Sequence, residues 1–474
     1  MNLKDEYETV IIGAGPAGLA AAMELCKARK DFVVIEKNCS VGGLARTHVI
    51  KEGHLEFRTD IGPHRFYSRK GYLNQFIGDL LQEKLIVVKR ETQQYIDGKF
   101  FNYPINPVQA FKNLGFSTVI IILVDYFLAI LKYRIFRRPI KNFYEHAVAN
   151  FGKKLAMFNI INYTEKIWGL STKQLDASWG KRRITGLSLS GVIKNMLVKI
   201  SKRQNSIRAL VDTFYYPELG TGTIYEQIGE RIELEGYSIF LNSYPTKIKH
   251  ERDHIKQLVV QIGEKEIQIK LDYLVESIYI VDFLLLLEPS PPQHVLKAAE
   301  KLRYRSQVYL FLTLDRDRVT HDQWIYFPDV HLPFARISEM KNFSSKMSPL
   351  NKSSLLIEFF CNEDDEIHRM TKDELFELVL PFFEKQGFFT RIDVRNCYRF
   401  SNNRDYPIYD LVYETNLNTV KRYLDSFDNL FYVGRPGRFE YSSQDQSIEM
   451  GILSGKSIID GHRRDLDAVM NERE

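Results

Sequence analysis

A buried-type strand that runs without a break into a glycine-rich turn, and from there into a helix, constrains this chain more than any other feature. Residues 7–12 (YETVII) lead at once into Gly13-Ala14-Gly15-Pro16-Ala17-Gly18; residues 17–29 read as a helix and residues 32–36 (FVVIE) as a second strand. The unit has the size of a β-α-β element, about 30 residues. Each glycine has its own task. Gly13 permits the tight turn, Gly15 lets the backbone approach a pyrophosphate, and Gly18 lets the helix pack close to the strand. The helix start offers N–H groups and a partial positive charge to phosphates. Glu36, ending the second strand, is placed to accept both hydroxyl hydrogens of an adenosine ribose. A bare G-x-G-x-x-G is weak evidence. Here strand, helix and acid all stand in order, so a dinucleotide-binding Rossmann-type domain is expected at the start of the chain.

A second glycine pair narrows the dinucleotide. Gly42-Gly43 follows the Glu36 strand and continues as Leu44-Ala45-Arg46-Thr47. This resembles the GG-x-x-R-T segment of the flavoprotein group that contains amine oxidases, phytoene desaturases, protoporphyrinogen oxidase and UDP-galactopyranose mutase. The resemblance implies FAD, with Gly42, Gly43 and Arg46 beside its diphosphate and flavin. Residues 429–435 (NLFYVGR) have the form of that group's closing strand, and residues 445–451 (DQSIEMG) then open a helix. By the same resemblance Gly434, Asp445 and Met450 join the cofactor site, with the helix N-terminus towards the flavin pyrimidine.

Further strings resemble UDP-galactopyranose mutase and its larger protoporphyrinogen-oxidase-like relatives, over nearly the whole chain. Residues 60–66 (DIGPHRF), 101–106 (FNYPIN), 163–169 (YTEKIWG), 335–339 (ARISE), 406–408 (YPI) and 434–441 (GRPGRFEY) follow the mutase order. YTEKIWG is the most specific of them. The resemblance implies a rearrangement of a nucleotide-activated sugar through an adduct at N5 of reduced flavin, in surface-glycan synthesis, with NAD(P)H or another donor as reductant. It gives Arg336 and Arg435 the departing diphosphate, with Tyr406 and Tyr441. Tyr163 and Trp168 line the sugar pocket, and His64 sits over the flavin. Three positions depart from the mutase pattern: Gly186 replaces an arginine, Ser443 an acid, and Leu44 an asparagine.

At 474 residues the chain is too long for one compact core. The expected class is α/β, a discontinuous Rossmann-type FAD-binding domain with a mixed α+β substrate domain that contains a helical insertion. The FAD-binding domain takes residues 1–75, a strand-rich part at 216–290 and a closing part at 406–474. The substrate domain takes a helical insertion at 76–215 and a sheet and helix at 291–405. Within these limits residues 237–285 read as strands, residues 371–387 as a helix that Thr371 and Glu374 cap, and the last helix runs from about Ser447 to Gly461.

A net charge of +5, from 65 basic and 60 acidic residues, does not suit a nucleic-acid binder. The four cysteines show neither zinc spacing nor a disulfide framework, so no metal is expected. The opening MNLKDEYETV lacks the pattern of a secretory signal, and a cytoplasmic location is expected. Residues 116–136 are strongly apolar with Asp125 at their middle and a basic cluster after them. A buried or groove-lining helix is the favoured reading; peripheral contact with the inner face of a membrane is the other.

Three functions remain open. One is the mutase-like rearrangement. A second is a flavin oxidase or desaturase acting on an apolar or amine substrate, which GG-x-x-R-T and residues 116–136 support. The third is an FAD-binding protein without catalysis. Each leaves the number of subunits undetermined.

Overall fold

A computed structural model describes residues 3–103, 115–184 and 213–471, with the backbone alone for Asn159 and 181–184. Pro104, Ile105, Asn106 and Gly186 lie outside the described residues. The chain divides into two compact units. The first comprises Met1–Val87, Tyr215–Arg303 and Glu414–Glu474; the second comprises Val88–Phe214 and Tyr304–Tyr413.

The first unit is built on an eight-stranded sheet. Glu6–Ile12 lies inside it, parallel to Phe32–Ile35 on one side and to Lys265–Glu276 on the other. Val10, Ile11 and Ile12 are buried, as is the whole of Phe32–Ile35, because helices cover a parallel sheet on both faces and leave no side for polar residues. Lys265–Glu276 changes character along its length. Its first half alternates between exposed and buried while pairing antiparallel with His254–Ile262. Its last three residues are wholly buried between the opening strand and the closing strand Leu430–Tyr432.

The helix Pro16–Lys27 packs on this sheet and against Gln444–Asp460. That crossing is close because it is made by glycines. A Cβ on Gly451 would stand 2.1 Å from the Ala17 carbonyl oxygen, and one on Gly455 would stand 2.8 Å from Glu24 Cβ. Two expected limits change. The strand-rich stretch stops at Glu276 and a helix, Ile280–Leu286, follows, because Ile280, Phe283 and Leu284 have helical spacing and are buried. The helix expected from about Ser447 starts at Gln444, three residues early, because Ser443 is its N-cap, and a short helix, Ala468–Asn471, follows it.

The second unit holds a seven-stranded sheet. Its strands lie in the order Val394–Pro407, Tyr304–Leu314, Ser353–Cys361, Arg336–Glu339, Trp324–Tyr326, Thr92–Ile96 and Lys99–Asn102. Helix Lys372–Lys385 packs on it through Leu375, Val379 and Phe383. Thr371 and Glu374 form the expected capping box.

Helical segments make up much of the rest of this unit: Phe116–Ile130 continuing through Leu131–Ile135, then Phe143–Phe151, Asn162–Trp168 and Ala177–Ile184. The expectation of a buried or groove-lining helix at 116–136 is corrected here. Ile122, Tyr126, Ala129 and Tyr133, one helical face, are buried, whereas Ile121, Val124, Phe127 and Leu128 are more than half exposed. Uniform hydrophobicity gave the sequence no way to show which face would be covered.

Candidate functional site

In the first unit three glycine turns meet around the start of helix Pro16–Lys27. Gly13 has φ +97°, and a Cβ on Gly18 would stand 1.9 Å from the Gly13 carbonyl oxygen, so both positions are restricted to glycine by backbone geometry. Gly42 and Gly43 have φ +101° and +54°, and a Cβ on Gly43 would stand 3.1 Å from Gly15 Cα. Gly434, with φ +75°, lies against the Cβ of Ala17. Above Gly15 itself, a Cβ would meet nothing nearer than Gly43 Cα at 3.9 Å. The helix cap at Gly15 uses no side chain. A helix start whose cap uses no side chain, in a cradle lined by glycine backbone, fits the diphosphate of a dinucleotide.

Glu36 is buried and already engaged. Its Oε2 accepts from the Ala14 N–H at 2.7 Å, and its Oε1 accepts from the backbone and side chain of Asn38 at 2.8 and 2.6 Å. The carboxylate therefore fixes the glycine turn itself. Of its roughly four acceptor positions these three bonds leave one, on Oε2, for a ribose hydroxyl. Arg46 closes the Gly43–Ala45 turn and donates from Nε to His48 Nε2 at 3.3 Å. Burial, with Arg46 adding to it, lowers the His48 pKa to about 4.

Glu276 ends the long strand between Ile12 and Tyr432, beside Ser277, whose hydroxyl donates to the Ile12 carbonyl. Burial holds its carboxyl well above the ordinary carboxylate range.

The closing segment orders a guanidinium. Arg435 lies in the short helix Gly434–Arg438, over the Tyr441 ring at 4.5 Å, and donates from Nε and Nη2 to the Ser442 carbonyl at 3.2 and 3.0 Å. Ser443 receives the helix Gln444–Asp460: its N–H donates to Gln446 Oε1 at 3.1 Å and its hydroxyl to Asp445 Oδ1 at 2.5 Å. Asp445 is thus buried in the first turn. Met450, five residues on, is a core residue of that helix.

His64 donates from Nε2 to the Ile61 carbonyl at 2.7 Å; a carbonyl can only accept, so Nε2 carries the proton. Asp60, in the same segment, is fully buried. It accepts from the hydroxyls of Thr47 and Tyr216, both at 2.6 Å, and from the Thr221 N–H. Burial raises its pKa to about 6 against the lowering effect of these bonds.

In the second unit Arg336 faces Glu358 on the neighbouring strand. Nε and Nη2 donate to the two carboxylate oxygens at 2.6 and 2.5 Å. Burial opposes the guanidinium charge, but Glu358 outweighs it and raises the Arg336 pKa above its ordinary value; Tyr163 and Tyr406 add to the rise. The polar row continues through Gln307, Tyr309 and Asp405, with the Tyr309 hydroxyl donating to Asp405 at 2.8 Å. Tyr406 meets Trp168 edge-on at 5.9 Å, Trp168 meets Trp179 at 4.9 Å, and Tyr163 meets Tyr326 at 5.3 Å. Trp168 is 3% exposed, so it shapes this wall from behind. Lys166 donates to the carbonyls of Phe327 and Asp329 at 2.9 and 2.7 Å; burial lowers its pKa to about 7.

Residues 11–80 match the model of an NAD(P)-binding Rossmann-like domain. Across the whole chain, the structure is similar to that of reduced UDP-galactopyranose mutase, with a TM-score of 0.81 at 22% identity, covering 100% of this chain and 97% of that one.

The chain has the fold of UDP-galactopyranose mutase.

A candidate protoporphyrinogen oxidase from Exiguobacterium sp. 255-15 shares this mutase fold at TM-score 0.72 and 16% identity, over 96% of this chain and 99% of that one. A putrescine oxidase shares it at 0.64 and 15%, over 96% and 99%. Curated relatives match over short stretches. Thioredoxin reductase of Mycoplasma genitalium is 30% identical over 90 residues, 19% of this chain and 28% of that protein. All-trans-retinol 13,14-reductase of Rattus norvegicus is 36% identical over 83 residues, 17% and 13%. The chain spans less than a third of the length of these curated relatives.

Within the mutase fold, the residues singled out from sequence fall into two sets. Gly13, Gly15, Gly18, Gly42, Gly43 and Gly434 converge in the first unit, which also carries His64, Arg435 and Tyr441. Tyr163, Trp168, Arg336 and Tyr406 share one region of the second. Glu358, Asp405, Lys166 and Asp60 were not anticipated. Glu358 had a signal, since it is the one charged residue in the strand SSLLIEFFC and stands within its apolar stretch LLIEFFC, where an unpaired charge is too costly to keep.

Proposed function

We propose that this chain binds FAD in the glycine cradle and rearranges a nucleotide-activated sugar in the manner of the mutase whose fold it shares. The observation that carries the reading is Arg336: a guanidinium held in one orientation by a fully buried carboxylate, beside Tyr163 and Tyr406. A fixed, planar donor suits a diphosphate better than a mobile lysine does. Reduced flavin supplies an electron-rich ring nitrogen to such chemistry when it is bound.

The chain's own residues do the rest. Arg336 is assigned the departing diphosphate, whose neutralisation lowers the barrier to breaking the sugar–phosphate bond, and Arg435, in the first unit, is carried over to that role by the resemblance alone. Tyr406 and Tyr441 add hydroxyl donors to the diphosphate. Tyr163, with Trp168 behind the wall, confines the sugar. His64, its Nε2 proton committed to the Ile61 carbonyl, would lie beside the flavin, as the resemblance implies. NAD(P)H or another donor would supply the electrons that reduce the flavin, and the rearrangement itself makes no net redox change.

The test is a titration of the FAD-loaded protein with UDP, followed by flavin absorbance. Saturable binding that Arg336→Ala and Arg435→Ala each weaken strongly supports the reading; no response to UDP overturns it.

A second reading, an oxidoreductase of an apolar substrate, is favoured by the exposed apolar helix Phe116–Ile135. It requires that substrate alone bleach the flavin and that oxygen or a quinone restore it.

A further inference from the structure

Helix Phe116–Ile135 is 20 residues long and apolar enough to cross a membrane, yet only 22% of its most apolar stretch is buried. Its contacts show how it is held. Ala129 and Tyr133 pack on Ala149 and Val148. Gly152 brings two backbones together, since a Cβ there would stand 2.7 Å from the Tyr126 nitrogen. Asp125, the charge that would oppose burial in lipid, accepts from the Lys154 N–H at 2.9 Å and so is spent on the neighbouring helical turn. The helix is therefore held along one face by its own unit, an arrangement that suits lying along a surface rather than crossing a bilayer.

The opposite face is left to solvent. Phe116, Ile121, Leu123, Val124, Phe127 and Leu128 are each more than half exposed, on one continuous surface. Soluble proteins seldom expose an apolar patch of this extent without a partner for it.

Charge identifies the partner. Lys132, Arg134, Arg137, Arg138 and Lys141 follow the apolar face and are all exposed, and no acidic residue occurs between Asp125 and Glu145. The chain as a whole has nearly balanced charge, 65 basic against 60 acidic residues, so five uncompensated cations in ten positions are a local feature. An apolar face inserted among acyl chains with cations at headgroup level is the design of a helix lying in the interface of an anionic bilayer. A second copy of the chain would bring the same cations and repel.

We propose that Phe116–Ile135 docks the protein in the plane of an anionic lipid surface, with the cations of 132–141 on the headgroups.

Sedimentation of the full-length, FAD-loaded protein with vesicles tests this. Vesicles of phosphatidylcholine with about a third phosphatidylglycerol are compared with phosphatidylcholine alone. The protein is expected to pellet with the anionic vesicles, at least about tenfold more than with neutral ones, and less as salt is raised. Phe127→Asp with Leu128→Asp should abolish pelleting while flavin content and circular dichroism stay as in wild type. Arg134→Gln, Arg137→Gln and Arg138→Gln together should remove the anionic preference without disturbing the apolar face. If the protein ignores both vesicles, or pellets equally with and without the two aspartates, the proposal fails. It fails as well if the aspartates convert a stable dimer to monomer and vesicles have no effect, since the face would then belong to a second copy. None of these results depends on the sugar reading, which UDP binding tests separately.

Discussion

Arg336 and Glu358 sit directly opposite each other on adjacent antiparallel strands, joined by two parallel hydrogen bonds through Nε and Nη2. Glu358 has no exposed surface, so the pair is a buried ion pair whose partners depend on each other. Removing one partner of such a pair costs about 3–5 kcal/mol, whereas replacing both by apolar residues costs far less. Glu358→Gln is expected to lower stability by about that amount in denaturant unfolding. The double variant Arg336→Met, Glu358→Leu should recover most of the loss yet bind no UDP. A double variant that binds UDP normally would remove Arg336 from the diphosphate site.

Arg435 is oriented by the Tyr441 ring beneath it and by the Ser442 carbonyl. Arg435→Lys keeps the charge but loses the planar stack and the paired donation. It should leave the melting temperature nearly unchanged and weaken UDP roughly tenfold or more, as loss of a charge-assisted hydrogen bond does. Tyr441→Phe retains the ring and should hold Arg435 in place; Tyr441→Ala should reproduce the lysine variant. Calorimetric titration with UDP separates them.

The glycines of the cradle predict opposite failures. Gly18→Ala drives a Cβ to within 1.9 Å of a backbone oxygen and should yield insoluble or unfolded protein. Gly15→Ala meets no protein atom nearer than 3.9 Å and should fold normally but purify with little flavin, because its methyl fills the space a diphosphate needs. Absorbance of bound flavin per folded chain reads the difference.

The hairpin Thr47–Glu52 with Leu55–Asp60 carries two groups with opposite pH behaviour. Asp60 has its pKa raised to about 6, so the folded state holds its proton longer than the unfolded state. Its contribution to stability is complete below the ordinary carboxylate value and declines as pH rises to about 6, by roughly 3 kcal/mol at most. His48 has its pKa lowered to about 4, so its contribution is complete above the ordinary imidazole value and is lost as pH falls towards 4. Across pH 4 to 6 the two slopes oppose each other. Asp60→Asn should make stability rise more steeply with pH in that window, and His48→Gln should make it fall. Unfolding midpoints against pH check both signs.

Whatever depends on neighbours along the chain could be read from the sequence. The glycine turn at 13–18, the strand–helix–strand around it and the Thr371–Glu374 capping box follow from local backbone geometry, which a short string specifies. Partner choice was decided elsewhere. Glu358 as the counter-ion of Arg336 is set by the register of two strands, and Asp60 meets Tyr216 across 156 residues of chain. Glu36 stands where an acid for a ribose is expected, and only the fold shows that it also ties the glycine turn through Ala14 and Asn38. Residues 116–136 make the point most sharply: composition showed an apolar helix, and only the fold determined that one face packs on Gly152 and Ala149 while the rest stays uncovered. A sequence carries its local geometry in itself, but burial and pairing are properties of what the chain brings alongside.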